Sequence, residues 1–347
     1  MKHLCTSLIP VSVLILIWAL SARALDGYVL CGDEWFGLSK VYLIDCETGD
    51  KRTLVDEPAW GACFNADGSR IAYYRSRGSR ICTRSIDGTD EREVCELSCG
   101  KGDFEVSVSW SDDGNLYMSN WTKNVYRVDA DGGTPEVAYT SGNTIVAGTA
   151  SRDGTRYAAT VPGGWSVASY DMANDKEHNH GGGCQGSISS DGKWVSHNLD
   201  NHHTAYIKEF LSDRTAHTIS SPEGEFNMHR FSQHSPKHVC FTCDGNKGYV
   251  CDVTSDHSVK VGDCSPYDYF PGELNREVAT RGGCARLHVL TSGTVSPTGL
   301  VEEPLFSVMI NGKIVARGAG RPNGRNATLL YTVKGSQGAE SRLHWLR

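Results

Sequence analysis

Four short segments of the chain share one pattern of apolar and polar positions: an apolar residue, Ser or Asn, any residue, Asp, Gly. They are Phe64-Asn65-Ala66-Asp67-Gly68, Trp110-Ser111-Asp112-Asp113-Gly114, Ala150-Ser151-Arg152-Asp153-Gly154 and Ile188-Ser189-Ser190-Asp191-Gly192, and Phe231-Ser232-Gln233-His234-Ser235 is a degenerate fifth. Their apolar anchors are 46, 40, 38 and 43 residues apart, a period that marks four-stranded sheets repeated around an axis. A strand-like run follows each motif: Arg70 to Tyr74, Leu116 to Ser119, Arg156 to Thr160, Lys193 to His197 and Lys237 to Thr242. A further strand then ends in a polar turn, as in Ile81 to Ile86 before Asp87-Gly88. Asp-Gly suits these turns because Gly tolerates positive φ and Asp bonds its own backbone. After the first 24 residues no helical pattern exceeds two turns. The pattern predicts an all-β chain.

The repeat resembles that of the TolB-type β-propellers, which carry Ser-Pro-Asp-Gly between the two innermost strands of each blade. The resemblance covers roughly residues 27–290, with Ala66, Asp112, Arg152, Ser190 and Gln233 at the Pro position. It implies a propeller of four-stranded blades and leaves function open, because propellers host binding modules, lyases, hydrolases and scaffolds alike. The repeat divides the chain into 27–58, 59–101, 102–141, 142–180, 181–222, 223–264 and a seventh blade whose first strand is Tyr267 to Pro271. Seven blades are favoured, with six as the alternative. The expected layout is a signal peptide at 1–24, the propeller at 25–300 and a C-terminal β segment at 301–347. That segment holds two strand-like pieces, Leu305 to Ala316 around an Asn311-Gly312 turn and Ala327 to Val333. One piece is expected to complete the first blade, removing exposed sheet edges, and the other to form a short extension.

The N-terminus changes the expected compartment. Met1, Lys2 and His3 precede an apolar run from Leu8 to Leu20, and Ala22-Arg23-Ala24 is an A-x-A cleavage signal. The run is shorter than the ~20 residues of a comfortable membrane span, so a secreted or periplasmic chain with no membrane span is expected. Twelve of the 13 cysteines follow the signal, an even number that fits disulfides in an oxidising compartment. Local staples are expected: Cys31 with Cys46, Cys63 with Cys82, Cys95 with Cys99, Cys243 with Cys251, Cys264 with Cys284, and Cys184 with Cys240. Cys240-Phe-Thr-Cys243 has the spacing of a redox motif or half a zinc site, but no second CxxC or βαβ pattern accompanies it.

Composition and charge narrow the partners. Hydrophobic residues are 39% and charged residues 22%, ordinary for a globular chain. The net charge of −7, with no basic run, argues against nucleic acid. A monomer binding a glycan or an extracellular protein is expected instead. No Gly-x-Ser-x-Gly elbow, P-loop or dinucleotide fingerprint occurs. Asp129-Ala130-Asp131-Gly132 reads as a turn because it lacks the distal Glu of a calcium loop. Asn120-Trp121-Thr122 and Asn326-Ala327-Thr328 are glycosylation sequons.

Candidate chemistry gathers in the loops opposite the Asp-Gly turns. Trp60, Trp121, Trp165, Asp200, Asn201 and Tyr269 combine flat aromatic faces with hydrogen-bonding groups, a mixture that suits a carbohydrate. Two residues before the anchors stand Ala62, Val108, Gly148, Gly186 and, in the fifth motif, His229. His180, His197 and His202 are expected to approach the same region, and converging imidazoles can bind a divalent metal or carry protons. This cluster resembles that of the oligogalacturonate lyases, propellers with a histidine-bound metal at the channel mouth. That resemblance implies metal candidates His180, His197, His202 and His229 for Mn, Ca, Zn or Cu. It also implies that Tyr267, Lys247 or Arg230, with His229, would serve a β-elimination. A non-catalytic binder is the leading reading and a metal-assisted uronate lyase the second.

Overall fold

The computed structural model describes residues 25–34, 37–77, 79–97, 106–198 and 202–274, together with five strands between 287 and 346. The proposed signal peptide lies outside the described residues. The chain divides into two compact units, Met1–Arg276 and Glu277–Arg347. Among the described residues there is no helix, and so none long and apolar enough to cross a membrane.

The first unit holds β1 (Tyr28–Gly32), β2 (Ser39–Asp45), β3 (Lys51–Phe64), β4 (Arg70–Arg75), β5 (Arg80–Ser85), β6 (Arg92–Glu96), β7 (Ser107–Trp110), β8 (Asn115–Ser119), β9 (Thr122–Asp129), β10 (Glu136–Ala150) and β11 (Arg156–Val161). It continues with β12 (Ser166–Asp171), β13 (Lys176–Gly182), β14 (Cys184–Ile188), β15 (Trp194–Asn198), β16 (Thr204–Glu209), β17 (Thr215–Ser220), β18 (Met228–Phe231), β19 (His238–Cys243), β20 (Lys247–Asp252), β21 (His257–Asp263) and β22 (Ser265–Phe270). All pairs are antiparallel between sequence neighbours except one. Two long strands each serve two sheets: Lys51 to Val55 of β3 pairs with β2 and Ala59 to Phe64 with β4, while β10 is shared in the same way by β9 and β11. The described strands of this unit therefore make six four-stranded sheets. The inner strands β22, β3, β7, β10, β14 and β18 pack each against the next, and β18 packs against β22 to close a ring.

The exceptional pair corrects the sequence reading. Tyr267 to Pro271, expected to open a seventh blade, instead forms β22 and pairs with β1 through Tyr28↔Phe270, Val29↔Tyr269 and Leu30↔Asp268. The edge reserved for a strand from 301–347 is thus occupied. In the second unit β23 (Leu287–Ser292), β24 (Leu305–Ile310) and β25 (Lys313–Ala319) pair in order, as do β26 (Thr328–Tyr331) and β27 (Leu343–Leu346). Ile310 pairs with Lys313, and Asn311 and Gly312 lie outside the described residues.

The repeated motif is the turn it was read to be. Asp67, Asp113, Asp153 and Asp191 each accept the backbone N–H two residues on, at 3.0, 3.0, 3.0 and 3.2 Å. The glycine after each Asp has φ between 68° and 85°, conformations that a Cβ would strain. Asp131 likewise donates its N–H to Asp129 Oδ1 at 2.8 Å, so that segment is a turn.

One position before each anchor, a polar side chain ties adjacent sheets. Ser109 Oγ accepts the Ala150 N–H at 3.0 Å, Thr149 Oγ1 that of Ile188 at 2.9 Å and Ser187 Oγ that of Phe231 at 2.8 Å. Cys63 accepts the Trp110 N–H, and Asp268 Oδ2 accepts that of Phe64 at 3.0 Å. Asp268 Oδ1 also takes the Gln233 and Tyr269 N–H groups, both at 2.9 Å, so this one carboxyl joins the last, first and second sheets of the ring. Arg230 occupies the remaining position, and its Nη2 donates to Ser107 Oγ at 2.7 Å on β7, the inner strand opposite.

The described cysteines, ten in all, are free thiols, which overturns the expected staples among them. Register explains why. Cys31 pairs with Tyr42, leaving Cys46 four positions on, and Cys243 pairs with Lys247 while Cys251 pairs with Val239. Four positions at ~3.3 Å each exceed the ~7 Å that a disulfide tolerates between Cα atoms. Cys63 and Cys82 are separated by β4, and Cys184 and Cys240 lie on strands of different sheets. Cys99 and Cys284 lie outside the described residues. Burial pushes the Cys46 and Cys82 thiols up to about 12, so both stay protonated at neutral pH.

Candidate functional site

The histidines singled out in the sequence do gather, between the fourth, fifth and sixth sheets. His229 stands on inner strand β18, His197 on β15, His180 on outer strand β13, and His202 in the loop between β15 and β16. The His180 and His197 rings stack with centroids 6.5 Å apart. They are buried between sheets rather than open to a channel mouth. Burial holds His180 and His229 down at about 3 and His197 at about 4, so all three are neutral imidazoles at physiological pH.

Their nitrogens largely meet protein. His229 Nδ1 lies 3.2 Å from Ser196 Oγ, and its backbone N–H donates to Gln185 Oε1 at 3.0 Å. His180 Nδ1 is 3.0 Å from Ser212 O and its Nε2 2.9 Å from Ser169 Oγ. His202 Nδ1 is 3.2 Å from Phe226 O. Only His229 Nε2 and the His197 ring nitrogens are buried with no hydrogen-bond partner among the described residues of this cluster. The four expected ligands do not converge on one point. The group of three metal-capable atoms among the described residues is instead His178, His180 and Asp213, within 4.8 Å of one another, and it shares only His180 with the expected set.

The expected lyase groups are likewise engaged. Lys247 and Tyr249 both donate to the Glu223 carboxylate. Tyr267 is buried against Trp60 with ring centroids 5.6 Å apart. Arg230 is buried on Ser107. Asp268, absent from the candidate list, is the most perturbed carboxyl of this region: burial outweighs three backbone N–H donors and nearby Arg230 and pushes it up to about 7. The repeat itself carried the signal for Asp268, which stands at the tether position of Cys63, Ser109, Thr149 and Ser187. His178 was signalled by its i, i+2 spacing from His180.

The aromatic set divides. Trp60 and Tyr269 are core residues, and the Tyr269 hydroxyl donates to Asp26 O at 2.5 Å. Asp200 and Asn201 lie outside the described residues. Trp121 and Trp165 occupy the same place in adjacent sheets, the loop between the second and third strands. Both have left-handed backbone, φ 45° and 46°, uncommon for bulky residues. Ser79, His202 and Asn246 have similar φ in the corresponding loops, so the conformation belongs to the repeat and the tryptophans are its variation. Trp165 is 56% exposed and Trp121 half-buried. Asn120 is fully buried beside it, so that sequon offers no acceptor in the folded chain. The Asn326 sequon lies outside the described residues.

No protein-family model matches the sequence, and neither does any curated protein. Among solved structures, a chain of a nidogen/laminin complex superimposes with a TM-score of 0.55 at 9% identity, covering 70% of this chain and 97% of that one. TolB from Acinetobacter baumannii superimposes with a TM-score of 0.53 at 15% identity, covering 74% of this chain and 68% of that one. At such identities the likeness concerns fold alone, and with the closed ring of antiparallel sheets it establishes a β-propeller.

Proposed function

We propose that this chain is an exported, six-bladed propeller that binds a protein partner without catalysis, through the loop face carrying Trp121 and Trp165. The observation that carries this reading is Trp165, a large aromatic left 56% exposed at the loop position that Trp121 occupies in the preceding blade. Tryptophan is enriched among residues that dominate protein interfaces. The structural neighbour at a TM-score of 0.55 comes from a complex of nidogen with laminin. The carbohydrate reading loses Trp60 and Tyr269 to the core, and the lyase reading loses solvent-facing groups at His229, Tyr267 and Arg230 while Lys247 is paired with Glu223. The proposed N-terminal signal supports export.

The test probes the purified chain against arrays of extracellular proteins and of glycans. A protein partner whose affinity falls at least tenfold in Trp165→Ala, about 1.4 kcal/mol, with an unchanged unfolding midpoint, is expected. Binding to glycans alone, or protein binding indifferent to both Trp165→Ala and Trp121→Ala, would overturn the proposal.

A further inference from the structure

We infer that His178, His180 and Asp213 form a zinc site at the outer rim, where the last strand of the fourth blade passes the β16–β17 turn of the fifth. His178 and His180 stand two residues apart on β13, so strand alternation sends both imidazoles to the same face. Their ring centroids are 4.8 Å apart. Asp213 comes from the neighbouring blade, and its Oδ1 lies 3.2 Å from His178 Nε2.

The donor set and its spacing suit Zn2+. Two imidazole nitrogens and a carboxylate oxygen are borderline ligands of the kind zinc takes in sites that keep one open position. Tetrahedral bonds of ~2.0–2.1 Å separate ligand atoms by about 3.4 Å, and the His178–Asp213 pair is already at 3.2 Å. The full group lies within 4.8 Å, and the two side chains at its open edge, His178 and Asp213, are 29% and 71% exposed, which leaves them room to adjust. Ligating imidazoles keep their other nitrogen on a backbone carbonyl or similar group; the two His180 nitrogens lie 3.0 Å from Ser212 O and 2.9 Å from Ser169 Oγ, so zinc takes the place of one of these contacts and the other holds the ring. The opposing charge is Lys208, whose Nζ lies 3.8 Å from Asp213 Oδ1 while donating to His180 O at 2.7 Å.

Bound zinc ties two blades together at the rim. Its fourth position takes water or a donor group from a docked partner. The site lies on the outermost strand, with the His197 ring stacked behind His180 at 6.5 Å between centroids.

Titration calorimetry of the full chain with ZnCl2 alone tests the inference, with circular dichroism as the control for folding. One zinc per chain is expected, weakened at least tenfold by His178→Ala and by Asp213→Asn, and strengthened by Lys208→Gln. His178 and Asp213 are partly exposed, so these variants keep the fold even if a change at buried His180 does not. Absence of a stoichiometric site, or a site whose affinity both substitutions leave unchanged, would overturn it.

Discussion

Replacing Asp268 by Ala is expected to lower the free energy of unfolding by about 4 kcal/mol, because three buried backbone donors each lose their acceptor at roughly 1–3 kcal/mol apiece. Those donors belong to Phe64, Gln233 and Tyr269, on three consecutive sheets of the ring. Arg230, buried nearby, loses its neighbouring carboxyl at the same time. Against a total stability of about 5–15 kcal/mol, much of the Ala chain is expected to be unfolded or insoluble. Asp268→Asn keeps the amide oxygen as an acceptor and is expected to cost about half as much. Urea unfolding of the Asn variant checks the tether even when the Ala variant cannot be purified. A midpoint for both variants equal to that of the parent chain would mean that the carboxyl does not hold the ring closed.

Acid is the second lever. His180, His197, His229 and His234 are held by burial at about 3, 4, 3 and 3 against 6.5 for a free imidazole. As pH falls below about 6.5 the unfolded chain takes up protons that the folded chain refuses, so stability present at neutral pH is progressively lost. At pH 5 each histidine accounts for about 2 kcal/mol, about 8 in all. Asp268 acts in the opposite sense. Its folded value near 7 lies above the 3.8 of a free carboxyl, so the folded chain takes up that proton first. Between pH 7 and 5 it returns about 2 kcal/mol. The net loss expected over that interval is about 5 to 6 kcal/mol, read from urea unfolding at the two pH values. In Asp268→Asn the offset is absent, and the loss over the same interval should grow to about 8 kcal/mol. Stability that is flat or rising from pH 7 to 5 would refute the assignment of buried neutral imidazoles.

What could be read directly from the sequence was local. The Asp-Gly turns and the strands around them are set by residues within a few positions of one another, since Asp67, Asp113, Asp153 and Asp191 each bond the N–H two residues on. The repeat period therefore carried the propeller and the orientation of each blade. His229 stood out as well, because it breaks a series of small residues at equivalent positions, but the sequence placed it at a channel mouth and not in the core.

Long-range pairing alone decided the rest. Tyr267 to Phe270 reads as a strand in either place, and whether it opens a seventh blade or completes the first depends on β1, more than 200 residues away. Cysteine spacing along the chain likewise says little about separation across a sheet, as Cys243 and Cys251 show by sitting on paired strands four positions out of register. The role of Asp268 was hidden because its acceptors serve donors on sheets that meet only when the ring closes. The environment of the histidines was hidden for the same reason: packing between blades put Ser196 and Ser212 against the nitrogens of His229 and His180. Sequence determined which residues bend and pair locally. The closed ring decided which side chains lost water, and with it which could titrate, tether or remain available to a ligand.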